Sequence, residues 1–306
     1  MSAIEDGVST ARTDVAAFEY HRDVLRVTGA DAVTFLQGQI SADVAALPEG
    51  QQTWSLVLEP QGKVDAWFRI RRTGPVELLI DVDAGWGERL LARLRRFLLR
   101  VDVTIEPSPR ACVALRGPLA GEVGLDVDGA ELTSWVDWRG LDGVDVFGPE
   151  GGAAPVVPEA VPVGDPLALH VLRVEQGWPA LGHELDSSTI PAEAGQWLID
   201  ASVSFTKGCY TGQELVARID SRGGNVPRHL RGVVLDAAAG DVAVPGPGTP
   251  VLLEGTERGA VTSSAFSPTL GAPIAMGMLH RTVEPGATVD VGGATGTVVE
   301  LPFVGP

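Results

Sequence analysis

The most informative stretch of this 306-residue chain is the octapeptide Lys207-Gly208-Cys209-Tyr210-Thr211-Gly212-Gln213-Glu214. A lysine precedes the cysteine by two residues, and the run ELVARI that follows predicts a helix beginning near Gly212. A nearby positive charge and a helix N-terminus both favour a thiolate, so the pattern predicts a reactive cysteine. The two glycines permit a tight turn and a close approach of another molecule. The alternative is that Cys209 is a small buried hydrophobic residue at a helix entrance.

The octapeptide resembles the signature of the YgfZ proteins, which are related to the aminomethyltransferase T-protein of glycine cleavage. In the T-protein the corresponding region ends in Phe-Ile-Gly, which Tyr210 and Gly212 resemble, whereas Cys209 is particular to the YgfZ branch. Residues 173–191, RVEQGWPALGHELDSSTIP, resemble the T-protein's Arg-Leu-Glu-x-Gly segment and the residues after it; the matching positions are Glu175, Gly182, Glu184, Asp186 and Pro191. A looser similarity is GADAVTFLQGQISADV near the N-terminus. Together these pieces cover residues from about 20 to 230.

The resemblance implies an α+β, T-protein-like, multi-subdomain folate-binding fold with a C-terminal antiparallel β-barrel. We expect a flexible N-terminus over residues 1–19, two interleaved α+β subdomains over 20–227 and the barrel over 228–306. The residue pattern agrees at the C-terminus, where short β-rich runs separated by Gly and Pro after Arg231 suggest a small antiparallel barrel or sandwich. It also predicts a hairpin with its turn at Pro60–Gly62 and an amphipathic helix over 86–100.

Composition and charge exclude several classes of function. The formal net charge is −17, which argues against the basic footprint that direct nucleic-acid binding needs. Cys112 and Cys209 are the two cysteines and form no CxxC pair, which indicates a reducing compartment. The N-terminus has neither the basic nor the apolar part of a secretory signal, and no apolar run approaches the length of a membrane span. We therefore expect a cytoplasmic protein that does not bind membranes.

The resemblance also implies a cofactor, tetrahydrofolate or a derivative. A pterin ring presents an N–H and an amino group side by side, which suits a carboxylate, and Glu175 resembles the family's pterin-recognising glutamate. Without the resemblance, Glu175 would be interpreted as a solvated carboxylate at a helix end. We predict that it lies in a partly buried cavity, and that Arg173, Tyr210, Arg218 and Asp65 also bind the cofactor. Cys209 and Lys207 are the predicted catalytic residues, and the histidine spacing favours no metal site.

Arginines stand in two further groups. The first group lies on the predicted helix over 86–100, and its members are Arg89, Arg93, Arg95, Arg96 and Arg100. The favoured interpretation is that these arginines form a solvated face opposite an apolar stripe. The alternative is that they contact the polyglutamyl tail of folate or an acidic partner. The second group, Arg218, Arg222 and Arg228, follows the cysteine motif closely enough to suggest that it lines the site.

One departure from the T-protein pattern bears on the reaction. That pattern has two adjacent acids after its glycine pair, whereas here Asp65 is followed by Ala66. The departure weakens the case for aminomethyl transfer. The leading hypothesis, which the resemblance to the YgfZ proteins implies, is a folate-binding accessory protein that supports iron–sulfur cluster assembly or repair and, through it, tRNA modification. In this hypothesis Cys209 reacts with a one-carbon unit, a sulfur species or a cluster intermediate, and the partners are iron–sulfur proteins or their assembly factors. The alternatives are an aminomethyltransferase or other one-carbon transferase, and a non-catalytic folate-responsive scaffold.

Overall fold

The computed structural model describes residues 2–221, 223–236 and 243–305. Its internal contacts divide the chain into two compact units. The first unit comprises Met1–Tyr20, Ala111–Pro179 and Pro227–Pro306, and the second comprises His21–Arg110 and Ala180–Val226.

The described residues form mixed helix and strand structure. The α-helices are α1 (Ala3–Thr13), α2 (Ala32–Gln39), α3 (Gly87–Arg95), α4 (Ala120–Gly124), α5 (Pro166–Glu175), α6 (Gln196–Ser202) and α7 (Gln213–Ser221), with a 3-10 helix at Pro191–Ala194. The strands are β1 (Ala16–Tyr20), β2 (Arg22–Thr28), β3 (Gln52–Leu58), β4 (Val64–Gly74), β5 (Glu77–Asp83), β6 (Thr104–Pro107), β7 (Cys112–Arg116), β8 (Leu132–Asp137), β9 (Asp142–Phe147), β10 (Arg228–Leu235), β11 (Pro250–Leu253), β12 (Thr256–Ser267), β13 (Ala272–His280), β14 (Thr288–Val291) and β15 (Ala294–Val299). Among the described helices, none is long and apolar enough to cross a bilayer.

The first unit contains an antiparallel sheet and a closed barrel. The sheet has the order β1-β7-β9-β8, and Leu115, Val144 and Val146 lie in its core. The barrel runs β10-β13-β12-β11-β14-β15, closes by pairing β10 with β15, and is filled by inward-facing valines and other apolar residues. Closure removes the free strand edges, so short strands suffice for a stable barrel. The predicted C-terminal antiparallel barrel is therefore confirmed.

The structure places helix α1 where the sequence predicts a flexible N-terminus. Ser2 and Glu5 form a capping box, in which the Glu5 carboxylate accepts a hydrogen bond from the Ser2 N–H at 2.7 Å. Val8 and Ala11 face inward and are buried, and α1 packs against α5. The sequence did not predict this helix, because residues 1–13 are mostly polar and only a narrow stripe of the helix is apolar.

The second unit is built on an antiparallel sheet of order β3-β4-β5-β2-β6. The predicted hairpin is present as β3 and β4, and its turn uses Gly62 at φ +72. Helix α3 packs on β2, β5 and β6 through Leu90 and Leu94. This helix is shorter than the predicted 86–100, because tight turns follow Arg95 and Arg100 takes a left-handed φ of +57 that leads the chain into β6.

Candidate functional site

Cys209 lies in the loop between α6 and α7 and is exposed. The buried alternative is therefore excluded for this cysteine, whereas Cys112 on β7 is buried. Helix α7 begins at Gln213, one residue after the predicted start. In the loop, the exposed pair Gly208 and Cys209 stands between two buried side chains, Lys207 and Tyr210.

Lys207 points into the second unit toward main-chain carbonyls. Its Nζ donates to the carbonyl oxygens of Ile40 and Ala42, each at 2.7 Å. Burial lowers the pKa of Lys207 to about 8, partly opposed by the charge of Asp43. Two of the three donors of the ammonium are thus engaged in holding the loop on residues 40–42. Both acceptors belong to the segment GADAVTFLQGQISADV, noted above for a loose family similarity.

Tyr210 is the second buried side chain of the loop. The Lys207 Nζ lies 5.2 Å from the centroid of its ring, and burial raises the pKa of its hydroxyl to about 12. The hydroxyl is buried and has no hydrogen-bond partner among the described residues. The tyrosine therefore stays protonated at neutral pH and has an unused donor, which is compatible with its predicted cofactor contact and does not test it.

The turn of the β3–β4 hairpin lies against the end of the cysteine loop. A Cβ built on Gly212 would come within 2.6 Å of the Glu59 carbonyl oxygen, and one on Gly62 within 2.6 Å of the Leu215 Cβ. Both glycines also have positive φ, +83 and +72 respectively, so any side chain would be strained at these positions. The two motifs, which are about 150 positions apart, therefore need glycine on both sides of one contact.

Asp65 lies near the start of β4, just after the hairpin turn, and is buried between two arginines. The Arg89 Nη2 lies 2.9 Å from its Oδ1, and the Arg93 Nε lies 3.2 Å from its Oδ2. The Arg93 side chain is 7% exposed and also donates to the Leu58 carbonyl, whereas the Arg89 side chain is 48% exposed and stacks on Trp86. The solvated-face interpretation is therefore wrong for Arg93, which is drawn inward by the buried carboxylate.

The segment after Gly182 supports this hairpin. The Thr189 carbonyl accepts a hydrogen bond from the Val64 N–H at 2.9 Å, next to Asp65. Asp186 accepts from the backbone N–H and the hydroxyl of Ser188, both at 2.7 Å, and so shapes the loop that carries Thr189. Glu184 is buried and accepts from the Ala180 N–H at 3.0 Å. The acids of this motif build the loop on which β4 rests.

Glu175 ends helix α5 in the first unit and is fully buried, not partly buried in a cavity as predicted. Its Oε2 accepts from the Arg12 Nη2 at 2.6 Å, and its Oε1 accepts from the Ser267 hydroxyl at 2.5 Å. Both carboxylate oxygens therefore have partners within the chain. Recognition of a pterin by Glu175 stays a prediction, and it requires the residues that enclose this fully buried carboxylate to move.

The remaining predicted cofactor residues are placed differently. Arg173, also on α5, donates to the Trp178 carbonyl at 2.8 Å and to the Ser263 hydroxyl at 2.7 Å. Arg218 lies on α7 and is exposed. Arg222 lies outside the described residues, and Arg228 is the first residue of β10. Their predicted contacts with a cofactor remain predictions.

Comparison with known proteins identifies the family. Residues 1–134 match the GCVT N-terminal domain and residues 228–304 match the glycine cleavage T-protein C-terminal barrel domain. An aminomethyltransferase of Rubrobacter xylanophilus is 32% identical over 95% of this chain and 84% of that protein. This chain belongs to the glycine cleavage T-protein family.

Further similarity within this family extends over nearly the whole fold. The aminomethyltransferase of Cutibacterium acnes is 29% identical, covering 92% of this chain and 85% of that protein. The crystal structure of glycine cleavage system aminomethyltransferase T from Bartonella henselae superimposes with a TM-score of 0.80 at 24% identity, covering 98% of this chain and 89% of that one. The predicted T-protein fold is thus confirmed.

In this T-protein-family member, the second unit brings together the cysteine loop, the hairpin turn and Asp65. Sequence reasoning did not single out Arg12 or Ser267 as partners of Glu175, and it assigned Arg93 to solvent. The capping-box residues Ser2 and Glu5 could have indicated the helix that carries Arg12. For Ser267 we find no local sequence signal, since only barrel closure and the packing of α5 on β12 place it at Glu175.

Proposed function

We propose that this protein is a tetrahydrofolate-binding accessory protein of the YgfZ branch of the T-protein family. It supports iron–sulfur cluster assembly or repair in the cytoplasm and, through it, tRNA modification. The observation that carries the proposal is the exposed thiol of Cys209, held between two buried side chains in a loop that carries the YgfZ-like octapeptide. An exposed thiol on an anchored loop is suited to act as a nucleophile, whereas a core cysteine is inert.

The arrangement around Asp65 favours this proposal over aminomethyl transfer. Its two carboxylate oxygens are engaged by Arg89 and Arg93, and the adjacent acid of the T-protein pattern is Ala66. Two guanidinium groups hold this carboxylate within the fold, and no second acid stands beside it in the sequence to take its place. The second candidate is nevertheless an aminomethyltransferase, because the relatives that match almost the whole chain carry that name.

The proposed ligand is tetrahydrofolate or a derivative, with contacts from Glu175, Arg173, Tyr210, Arg218 and Asp65. Iron–sulfur proteins or their assembly factors are the proposed partners. The net charge of −17 supports a route to tRNA through such enzymes, and not through direct binding of nucleic acid.

Complementation with Cys209→Ser tests the thiol. Serine keeps the size and most hydrogen bonding of cysteine but is a far weaker nucleophile at neutral pH. In cells that lack their own YgfZ-type protein, we expect the wild type and Cys112→Ser to restore iron–sulfur enzyme activity and Cys209→Ser to fail while still folding and binding folate. Full activity of Cys209→Ser would favour the scaffold alternative.

Two further measurements separate the remaining candidates. Titration of the purified protein with tetrahydrofolate forms should show saturable binding, and no binding of any form would overturn the folate assignment. Rescue of glycine cleavage in cells without a T-protein would favour the aminomethyltransferase. We expect no such rescue, with the Rubrobacter enzyme as the positive control.

A further inference from the structure

The cysteine loop is attached to the second unit at both of its ends. At its start, the Ser204 N–H donates to the Ser41 carbonyl at 3.0 Å. At its end, Gly212 lies against Leu58 and Glu59 of the hairpin. The Gln213 side chain accepts from the Tyr210 N–H at 3.4 Å, which closes the last turn before α7. Between these ends, Lys207 supplies the remaining attachment.

Lys207 makes that attachment through both its side chain and its backbone. The Nζ donates at 2.7 Å to two carbonyls of residues 40–42, and the backbone N–H of Lys207 donates to the Ser204 Oγ at 3.3 Å. The residue is 8% exposed. Charged donors make stronger hydrogen bonds than neutral ones, and leaving buried carbonyls without a donor is costly. The ammonium is therefore engaged by main-chain carbonyls.

We infer that Lys207 is a positioning residue whose ammonium holds the loop on Ile40 and Ala42 so that Cys209 stays presented to solvent. This differs from the role predicted from the sequence, in which the lysine charge activates the thiol. The inference deepens the proposed function and rests on it only for the test in cells. Loop order and thiol reactivity are measured on the purified protein alone.

The two roles of Lys207 predict different results for Lys207→Met. If the lysine positions the loop, amide hydrogen exchange over residues 204–212 becomes roughly tenfold faster, since two charge-assisted hydrogen bonds are lost. The pH at which alkylation of Cys209 reaches half its plateau rate then stays the same as in the wild type. If the lysine activates the thiol, that pH rises in Lys207→Met while exchange is unchanged, and this result would overturn the inference.

Matched variants keep the test independent of global unfolding. Lys207→Arg retains a cation with several donors and should restore most of the protection. Gly208→Ala is the control, because a Cβ there meets no atom of the described residues within 4 Å, and it should leave exchange as in the wild type. If Lys207→Met does not fold, Lys207→Gln is the second variant, because it removes the charge and shortens the side chain while keeping a polar end; it should speed exchange in the same residues by a smaller factor. Unchanged exchange in Lys207→Gln would then count against the inference. Loss of cellular activity in Lys207→Met with recovery in Lys207→Arg is expected if presentation of the thiol is needed for the proposed function.

Discussion

Glu175 in the first unit and Asp65 in the second are both buried carboxylates that contact arginine. They differ in how exposed their arginine partners are, and so in how easily a partner can turn away into water. Glu175 is enclosed by Arg12 and Ser267, and it is fully buried. Asp65 has one enclosed partner, Arg93, and one partner, Arg89, whose side chain is half exposed. A half-exposed cation can rotate into water at small cost, whereas a buried one cannot. A ligand would therefore reach Asp65 more readily than Glu175.

The largest expected effect tests the enclosed pair. Glu175→Gln should lower the free energy of unfolding by about 3–5 kcal/mol, because the Arg12 charge loses its carboxylate and stays mostly buried. Urea denaturation measures this loss. The double variant Glu175→Gln with Arg12→Met should recover part of it, and strictly additive losses would show that the two side chains do not act as a pair.

The same variant also tests the predicted pterin contact. A glutamine presents a donor to the donor pair of the pterin, so tetrahydrofolate binding should weaken by roughly 2–5 kcal/mol. Binding is measured by calorimetry at a temperature at which the variant is folded. Unchanged affinity would show that Glu175 serves the structure alone and that its assignment from the family resemblance is wrong.

The second effect sharpens the difference between the partners of Asp65. Arg93→Met should destabilise the protein by about 3 kcal/mol, since it leaves a buried carboxylate with one mobile cation. Arg89→Met should cost about 1 kcal/mol or less, because the lost cation is half exposed. Equal losses in urea denaturation would contradict the view that Arg89 is the exchangeable partner.

A third effect concerns Lys207 and has a defined sign. Its pKa is about 8 in the folded chain and near 10.5 when unfolded. Between these values the unfolded chain binds the proton and the folded chain does not, so stability rises with pH. Relative to Lys207→Met, the wild type should gain roughly 1–3 kcal/mol between pH 8 and pH 10.5. A stability difference that is flat or falls over this range would show that burial does not disfavour the ammonium.

The smallest effect compares the two cysteines. Cys209→Ser should change the free energy of unfolding by no more than about 0.5 kcal/mol, because the side chain is exposed. Cys112→Ser is the matched control and should cost about 1–3 kcal/mol, since it buries a hydroxyl on β7. Thermal unfolding of both variants measures the difference, and a large loss in Cys209→Ser would mean that its thiol packs in the fold.

Several elements followed from local pattern alone. The turn residues at Pro60–Gly62 predicted the β3–β4 hairpin, and the run after Gly212 located the start of α7 to within one residue. The regular spacing of short β-rich runs after Arg231 predicted a small antiparallel barrel or sandwich, and the family resemblance decided between the two in favour of the barrel. Each of these depends on hydrophobic period, turn chemistry or caps within about a dozen residues, which a sequence displays directly.

The partners of the charged groups depended on tertiary structure. Lys207 donates to carbonyls 167 and 165 positions away, and Arg12 meets Glu175 across 163 positions. Main-chain carbonyls look alike in every sequence, so nothing local indicates which of them a buried ammonium will reach. The octapeptide by itself placed a cysteine close to a lysine and to the start of a helix. Only the fold decided that the lysine turns inward and the thiol stays outside, because the burial that offsets the cost of an enclosed charge comes from distant segments packing together.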